Sequence, residues 1–150
     1  MLMASSSVTR TQRIAVRYET AFGFLVNPYN LVLWSFVDIT ELHKAGDGWW
    51  SVRTLAGPAR MRTLCNAPSG VIDFEFDFAD WKWLIPTRLL RNAGGCDYVI
   101  TLLAWDDQPG GIFSEQLLLI DQKLVRLKLL LEAQEAIGSF RKNRAPNQEN

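Results

Sequence analysis

An excess of charge of either sign is missing. The 150 residues hold 16 Lys and Arg against 16 Asp and Glu, a net charge of +0 with histidine neutral. Neutralising phosphates requires a cationic excess, so a dedicated duplex-DNA binder is excluded and no nucleic-acid partner is expected. Cysteine and histidine are also scarce: Cys65, Cys96 and His43 are the whole supply. They do not make a structural zinc site. Nor do they frame a small disulfide-held secreted protein. No metal and no cofactor is expected. Long apolar runs are absent, so no integral membrane segment is expected. The opening MLMASSSVTRTQR has no apolar run behind a basic head, as a signal peptide would. The expected location is cytoplasmic. No P-loop, GxGxxG, GxSxG or HExxH occurs, which leaves kinase, dehydrogenase and ordinary serine-hydrolase readings without support.

Apolar and aromatic residues are plentiful: 48% of the chain is hydrophobic, with six Trp, three Tyr and eight Phe. That suffices for the core of one domain and rules out disorder of the body. One domain is expected over residues 10–140, with 1–9 and 141–150 as loose polar ends. Ile14 and Val16 alternate with polar neighbours over Gln12–Tyr18, which is strand periodicity. Two short helices follow, Glu19–Val26 and Tyr29–Trp34, broken at Asn27-Pro28. Strand-like runs then cover Ile39–Ala45, Trp49–Leu55, Ala59–Asn66, Val71–Phe78, Leu84–Asn92 and Tyr98–Trp105. Turn residues punctuate them at hairpin spacing, which predicts an antiparallel meander. A long helix is expected from Ser114 to Ile137, capped by Ser114 and ended by Gly138. Its stripe is Phe113, Leu117, Ile120, Leu124, Leu127 and Leu131. Leu118, Val125, Leu129, Leu119 and Leu130 lie off that stripe. Burial between sheet edges and a homodimer through this helix both account for them.

Asn27-Pro28-Tyr29-Asn30 with Trp34, Trp50 to Gly57, Gly70-Val71-Ile72-Asp73, Pro86-Thr87-Arg88, Gly94-Gly95-Cys96-Asp97 through Leu102, and Leu124 to Glu132 stand in a telling order. In that order and spacing the chain, from Gln12 to Glu132, resembles the SRPBCC superfamily, the START-like or birch-pollen-allergen helix-grip proteins. It looks closest to bacterial polyketide cyclase/dehydrase-like and lipid-transport-like members. The resemblance implies an α+β helix-grip fold. A curved seven-stranded antiparallel sheet, two short helices and one long C-terminal helix would enclose a cavity. The wall is expected to include Trp34, Trp50, Val52, Met61, Phe74, Phe76, Tyr98, Ile100, Leu117 and Leu124. One departure stands out: many relatives carry histidine where this chain has Phe74.

The residues with chemistry each have a plain alternative. His43 is the one side chain that ordinarily titrates near neutrality. It is either a general base on the cavity face or a histidine at the surface. Arg88 either reaches the cavity to hold a carboxylate or enolate, or lies on the outer face. Asp73, Glu75 and Asp77 share one face of a strand opposite Ile72, Phe74 and Phe76, so they are expected to face water. Arg60 and Arg62 are their expected cross-strand partners. Cys65 is expected to be a small buried residue. Trp81 and Trp83 lie near a hairpin end and either pack or guard the mouth. The expected function is binding of a small hydrophobic, lipid-like or aromatic molecule by a non-catalytic carrier. The alternatives are a polyketide cyclase/aromatase-type enzyme, with Arg88 or Tyr98 steering enolate charge, and a protein-interaction domain with a filled cavity.

Overall fold

The structure is a computed structural model that describes the backbone of residues 3–148 and side chains through residue 138. Seven strands form one antiparallel sheet: β1 (Ala4–Ile14), β2 (Glu41–Gly46), β3 (Trp49–Thr54), β4 (Gly57–Asn66), β5 (Val71–Asp77), β6 (Lys82–Asn92) and β7 (Gly95–Trp105). The spatial order is β1-β7-β6-β5-β4-β3-β2. Strands β2 to β7 are thus a meander, and the first strand closes on the last. Helices α1 (Tyr18–Leu25) and α2 (Leu31–Trp34), with a short 3-10 turn at Pro28–Asn30, connect the two edge strands. Asn27 caps that turn by accepting the Tyr29 N–H at 3.1 Å. Pro28 follows as its first residue, where a missing N–H costs nothing. The long helix α3 (Ile112–Gln148) covers one face of the sheet.

Turn chemistry explains the meander. Asp47 and Gly48 both have positive φ between β2 and β3, the conformation that a two-residue hairpin turn with the sheet's twist requires. Gly95 opens β7 with φ +144, and a Cβ there would collide with the Ile14 carbonyl of β1. Glycine at this position therefore lets β7 lie against β1.

Period-2 alternation decides which residues enter the core. Ile72, Phe74 and Phe76 point inward and are fully buried, while Asp73, Glu75 and Asp77 are half-buried on the outer face. Trp83, Ile85, Thr87 and Leu89 continue the inner face on β6, and Cys96, Tyr98, Ile100 and Leu102 on β7.

Several expectations are corrected. Strand β1 begins at Ala4, so most of segment 1–9 is not loose; Val8 to Ile14 pair residue by residue with Leu102 to Cys96. Its Ser- and Thr-rich sequence suits an edge strand that buries little, and pairing with β7 outweighs its weak strand propensity. Tyr18 starts α1 rather than ending a strand, and its hydroxyl donates to the Ala67 carbonyl. Gly138 does not end α3, which runs on to Gln148. The buried stripe of α3 starts with Ile112 and Gln116, one position before the expected Phe113 and Leu117, which are half-buried. Cys65 is exposed, because the last residues of β4, Leu64 to Asn66, are all exposed. Trp81 and Trp83 are buried, with Trp81 stacked on Phe78 at 4.2 Å between centroids.

Candidate functional site

The space between sheet and α3 is where the fold places its candidate site. From the sheet side Met61, Phe74, Phe76, Tyr98 and Ile100 enter it, each 0–1% exposed. From the helix side come Ile120, Leu124, Leu127 and Leu131. Trp34 closes one end, packed edge-on against Phe36 at 5.3 Å and Tyr98 at 5.9 Å. Phe36 in turn meets Phe74 at 5.2 Å. Side chains this fully covered leave no room for a water beside them, so the interior around them is filled.

The expected wall residues divide by position. Trp34, Val52, Met61, Phe74, Phe76, Tyr98, Ile100 and Leu124 are buried in this interior, whereas Trp50 and Leu117 are half-buried at its margin. Trp50 meets Tyr29 edge-to-face at 5.1 Å. His43 lies exposed on the edge strand β2. Arg88 lies exposed on the outer face, where its Nε donates to the Ser69 carbonyl at 3.1 Å. Neither reaches the interior. On the outer face Arg62 pairs with Glu75, the cross-strand contact expected for this row.

The interior is apolar but not without polar groups. Thr87 is satisfied, donating to the Ile72 carbonyl at 2.6 Å. Trp34 Nε1, the Tyr98 hydroxyl and both amide atoms of Gln116 are buried without partners. Leaving such a group unmade costs about 1–3 kcal/mol, and fully buried orphans of this kind are scarce in folded proteins. Gln116 sits on the inner stripe of α3 by i+4 spacing from Ile112 to Ile120. Reading only apolar residues into that stripe missed it. Two enclosed groups ionise, and neither does so near neutrality. Burial pushes the Cys96 thiol up to about 11. Burial likewise drives the Tyr98 phenol well above its ordinary value.

Beside Trp34 a groove of about 230 Å³ runs between α3 and the segment joining α2 to β2, lined by Leu31, Trp34, Ser35, Asp38, Lys123 and Arg126, among others. Asp38 holds a left-handed backbone, φ 51. Its carboxylate receives the Lys123 ammonium, which straps this segment to α3. No three metal-ligating side chains gather among the described residues, and no described helix is long and apolar enough to cross a membrane.

No family model and no curated protein sequence matches the chain. Solved structures do. The Aha1 dimer from Colwellia psychrerythraea aligns with a TM-score of 0.66 at 14% identity, over 85% of this chain and 96% of that one. A START superfamily protein from Mycobacterium smegmatis aligns with a TM-score of 0.65 at 10% identity, covering 85% and 98%. Ara h 8.0201 aligns with a TM-score of 0.60 at 11% identity, covering 85% and 98%. Element order, sheet topology and the long closing helix agree with these alignments: the chain has the helix-grip fold of the START-like, or SRPBCC, proteins.

Proposed function

We propose that this protein binds a small, mainly apolar molecule between its sheet and α3, and that it holds this molecule without transforming it. The observation that carries the reading is the composition of the enclosed wall. It is aromatic and aliphatic, its polar groups are neutral donors and acceptors, and none changes charge near neutral pH. Acid–base work at neutrality needs a group poised near the working pH, and His43 and Arg88 point elsewhere. A ligand with one neutral hydrogen-bonding group suits the unpartnered Gln116, Tyr98 or Trp34. Entry requires side chains to move, because the interior is filled. The groove beside Trp34, strapped by Lys123 and Asp38, borders the interior and offers a route.

Native mass spectrometry of the purified protein tests this. An added mass of a few hundred daltons, lost on denaturation, is the expected result for a typical small-molecule ligand. Bare protein alone, with no uptake of an added apolar probe such as N-phenylnaphthylamine, contradicts it.

A second reading has its own observation. Leu118 is 78% exposed and Leu129 62% exposed on the outer side of α3, with Val125 between them. A filled core with an apolar stripe outside it suits a protein-interaction domain. The stripe also suits a homodimer through α3. A monomer at high micromolar concentration in light scattering rules the dimer out.

A further inference from the structure

The buried polar groups left unmet in the interior are mostly of one kind. Trp34 packs among Phe36 and Tyr98, and Trp83 is an inward residue of β6 that packs on Phe76 at 5.8 Å. Each is 1% exposed, and neither indole N–H has a partner. Gln116, 0% exposed on the inner stripe of α3, has neither its amide N–H groups nor its carbonyl met. An indole donates and never accepts, and a primary amide offers two donors beside one carbonyl. These three side chains therefore offer more donors than acceptors, and the two indoles cannot satisfy each other. The Tyr98 and Thr63 hydroxyls are also buried without partners. A hydroxyl turns to give or to take, however, and Tyr98 has the Thr87 hydroxyl beside it. What this interior is short of is acceptors.

On the outer face of the sheet the comparable groups are met. Strands β6 and β7 are in register from Thr87↔Ile100 to Asn92↔Gly95. Before that point they part, and Lys82 to Pro86 pair with β5. Pro86, which has no N–H to give a ladder, marks where the strands separate. The groove there holds about 350 Å³, with Trp49, Leu84 and Trp105 in its outer lining. The Trp105 Nε1 donates to the Leu84 carbonyl at 3.1 Å, and Arg62 pairs with Glu75.

The unmet donors are spread along the interior. Trp34 and Lys123 line one groove, and Gln116 lies roughly two turns before Lys123 on α3, about 10 Å along the helix axis. A molecule with oxygens toward both ends meets more of these donors than a molecule with one. We propose, on the basis of the carrier reading, that the interior ligand is an uncharged, mainly apolar molecule whose polar atoms are hydrogen-bond acceptors, carbonyl or ether oxygens, which accept from Trp34, Trp83 and Gln116. As in that reading, inner side chains move aside to admit it. Met61, fully buried on the inner face, is unbranched and can repack around it. Selectivity then comes from the bonds that a pure hydrocarbon leaves unmade.

The test compares acetonaphthone with ethylnaphthalene, two bodies of nearly the same shape with and without a carbonyl. Their affinities are measured for wild type, Trp34→Phe, Trp83→Phe and Gln116→Leu. Each variant removes a donor group. Lost packing weakens both probes alike, so the ratio of the two affinities reads the hydrogen bond. In at least one variant the ketone is expected to lose about tenfold more affinity than the hydrocarbon, the worth of one hydrogen bond. In an NMR titration of wild type, a Trp34 or Trp83 indole signal or the Gln116 side-chain N–H signal is expected to move downfield with the ketone and not with the hydrocarbon. The same ratio in all four proteins overturns the proposal and leaves the carrier reading standing. Movement confined to the Trp49 and Trp105 signals places the ketone in the outer groove and also overturns it. Saturable binding of neither probe overturns both readings. Should a Trp→Phe variant fail to fold, Gln116→Leu and the wild-type titration decide: an unchanged ratio with no downfield signal overturns the proposal.

Discussion

The two faces of β5 carry side chains from one strand into opposite environments. Phe74 points inward among Phe36 and the α3 stripe and has no exposed surface. Glu75, one residue on, points outward to Arg62 and is about one-third exposed. The inner face is filled and uniform. The outer face is charged and balanced, and it is interrupted where β6 and β7 separate. The difference teaches that in this protein the face turned to α3 is closed rather than an open cavity. The concavity open to solvent lies on the other side.

The comparison breaks first at Phe74. Phe74→Ala is expected to cost about 3–5 kcal/mol, because a packed ring leaves a cavity that the surroundings only partly fill. Chemical denaturation reads the loss. A cost near 1 kcal/mol means free space beside the ring and a looser interior than the structure has.

The next effect is on pH. The folded Cys96 thiol titrates at about 11 against an ordinary 9.0, so between these values the folded state holds a proton that the unfolded state has released. Stability is therefore complete below about pH 9 and falls as pH rises through 11, by roughly 2–3 kcal/mol. Stability measured from pH 8 to 11 in wild type and in Cys96→Ala checks this: the variant is expected to lose less across that window.

Gln116→Leu sharpens the comparison from the other direction. Replacing an unpartnered buried amide by an apolar group of similar volume is expected to stabilise the ligand-free protein by about 1–2 kcal/mol. A destabilisation of that size means that Gln116 is satisfied within the fold. The smallest effect is expected outside. Glu75→Ala removes a partly exposed ion pair and is expected to cost less than about 1 kcal/mol.

The inner face of β5 was legible because its alternation is strict and its opposite face is charged. The turn at Asp47-Gly48 was legible because few other residues accept positive φ. Strand β1 was not. Ser5, Ser6 and Ser7 carry no apolar signal, and their strand exists because β7 offers a free edge. Gln116 was passed over because polarity hid a position that helical spacing places inside. The outer groove was invisible for a different reason. Pro86 lay within an expected strand, but the divergence it marks depends on which partner each half of the sheet keeps, a long-range matter that local pattern does not carry. Cys65 went the other way: cysteine's usual burial suggested a core position, but it lies at the exposed end of β4, beyond the extent of the core.

The central claim is that the interior binds through apolar area and does no acid–base chemistry. Affinity for a neutral apolar probe, N-phenylnaphthylamine, measured from about pH 5.5 to 8 in wild type and in His43→Ala, tests it most directly, since His43 is the one side chain that ordinarily titrates in that range. Saturable binding that varies less than about twofold across the range, and is the same in both proteins, is the predicted result, because buried apolar area does not titrate. A tenfold pH dependence that disappears in His43→Ala contradicts the account and moves the protein to the enzymes.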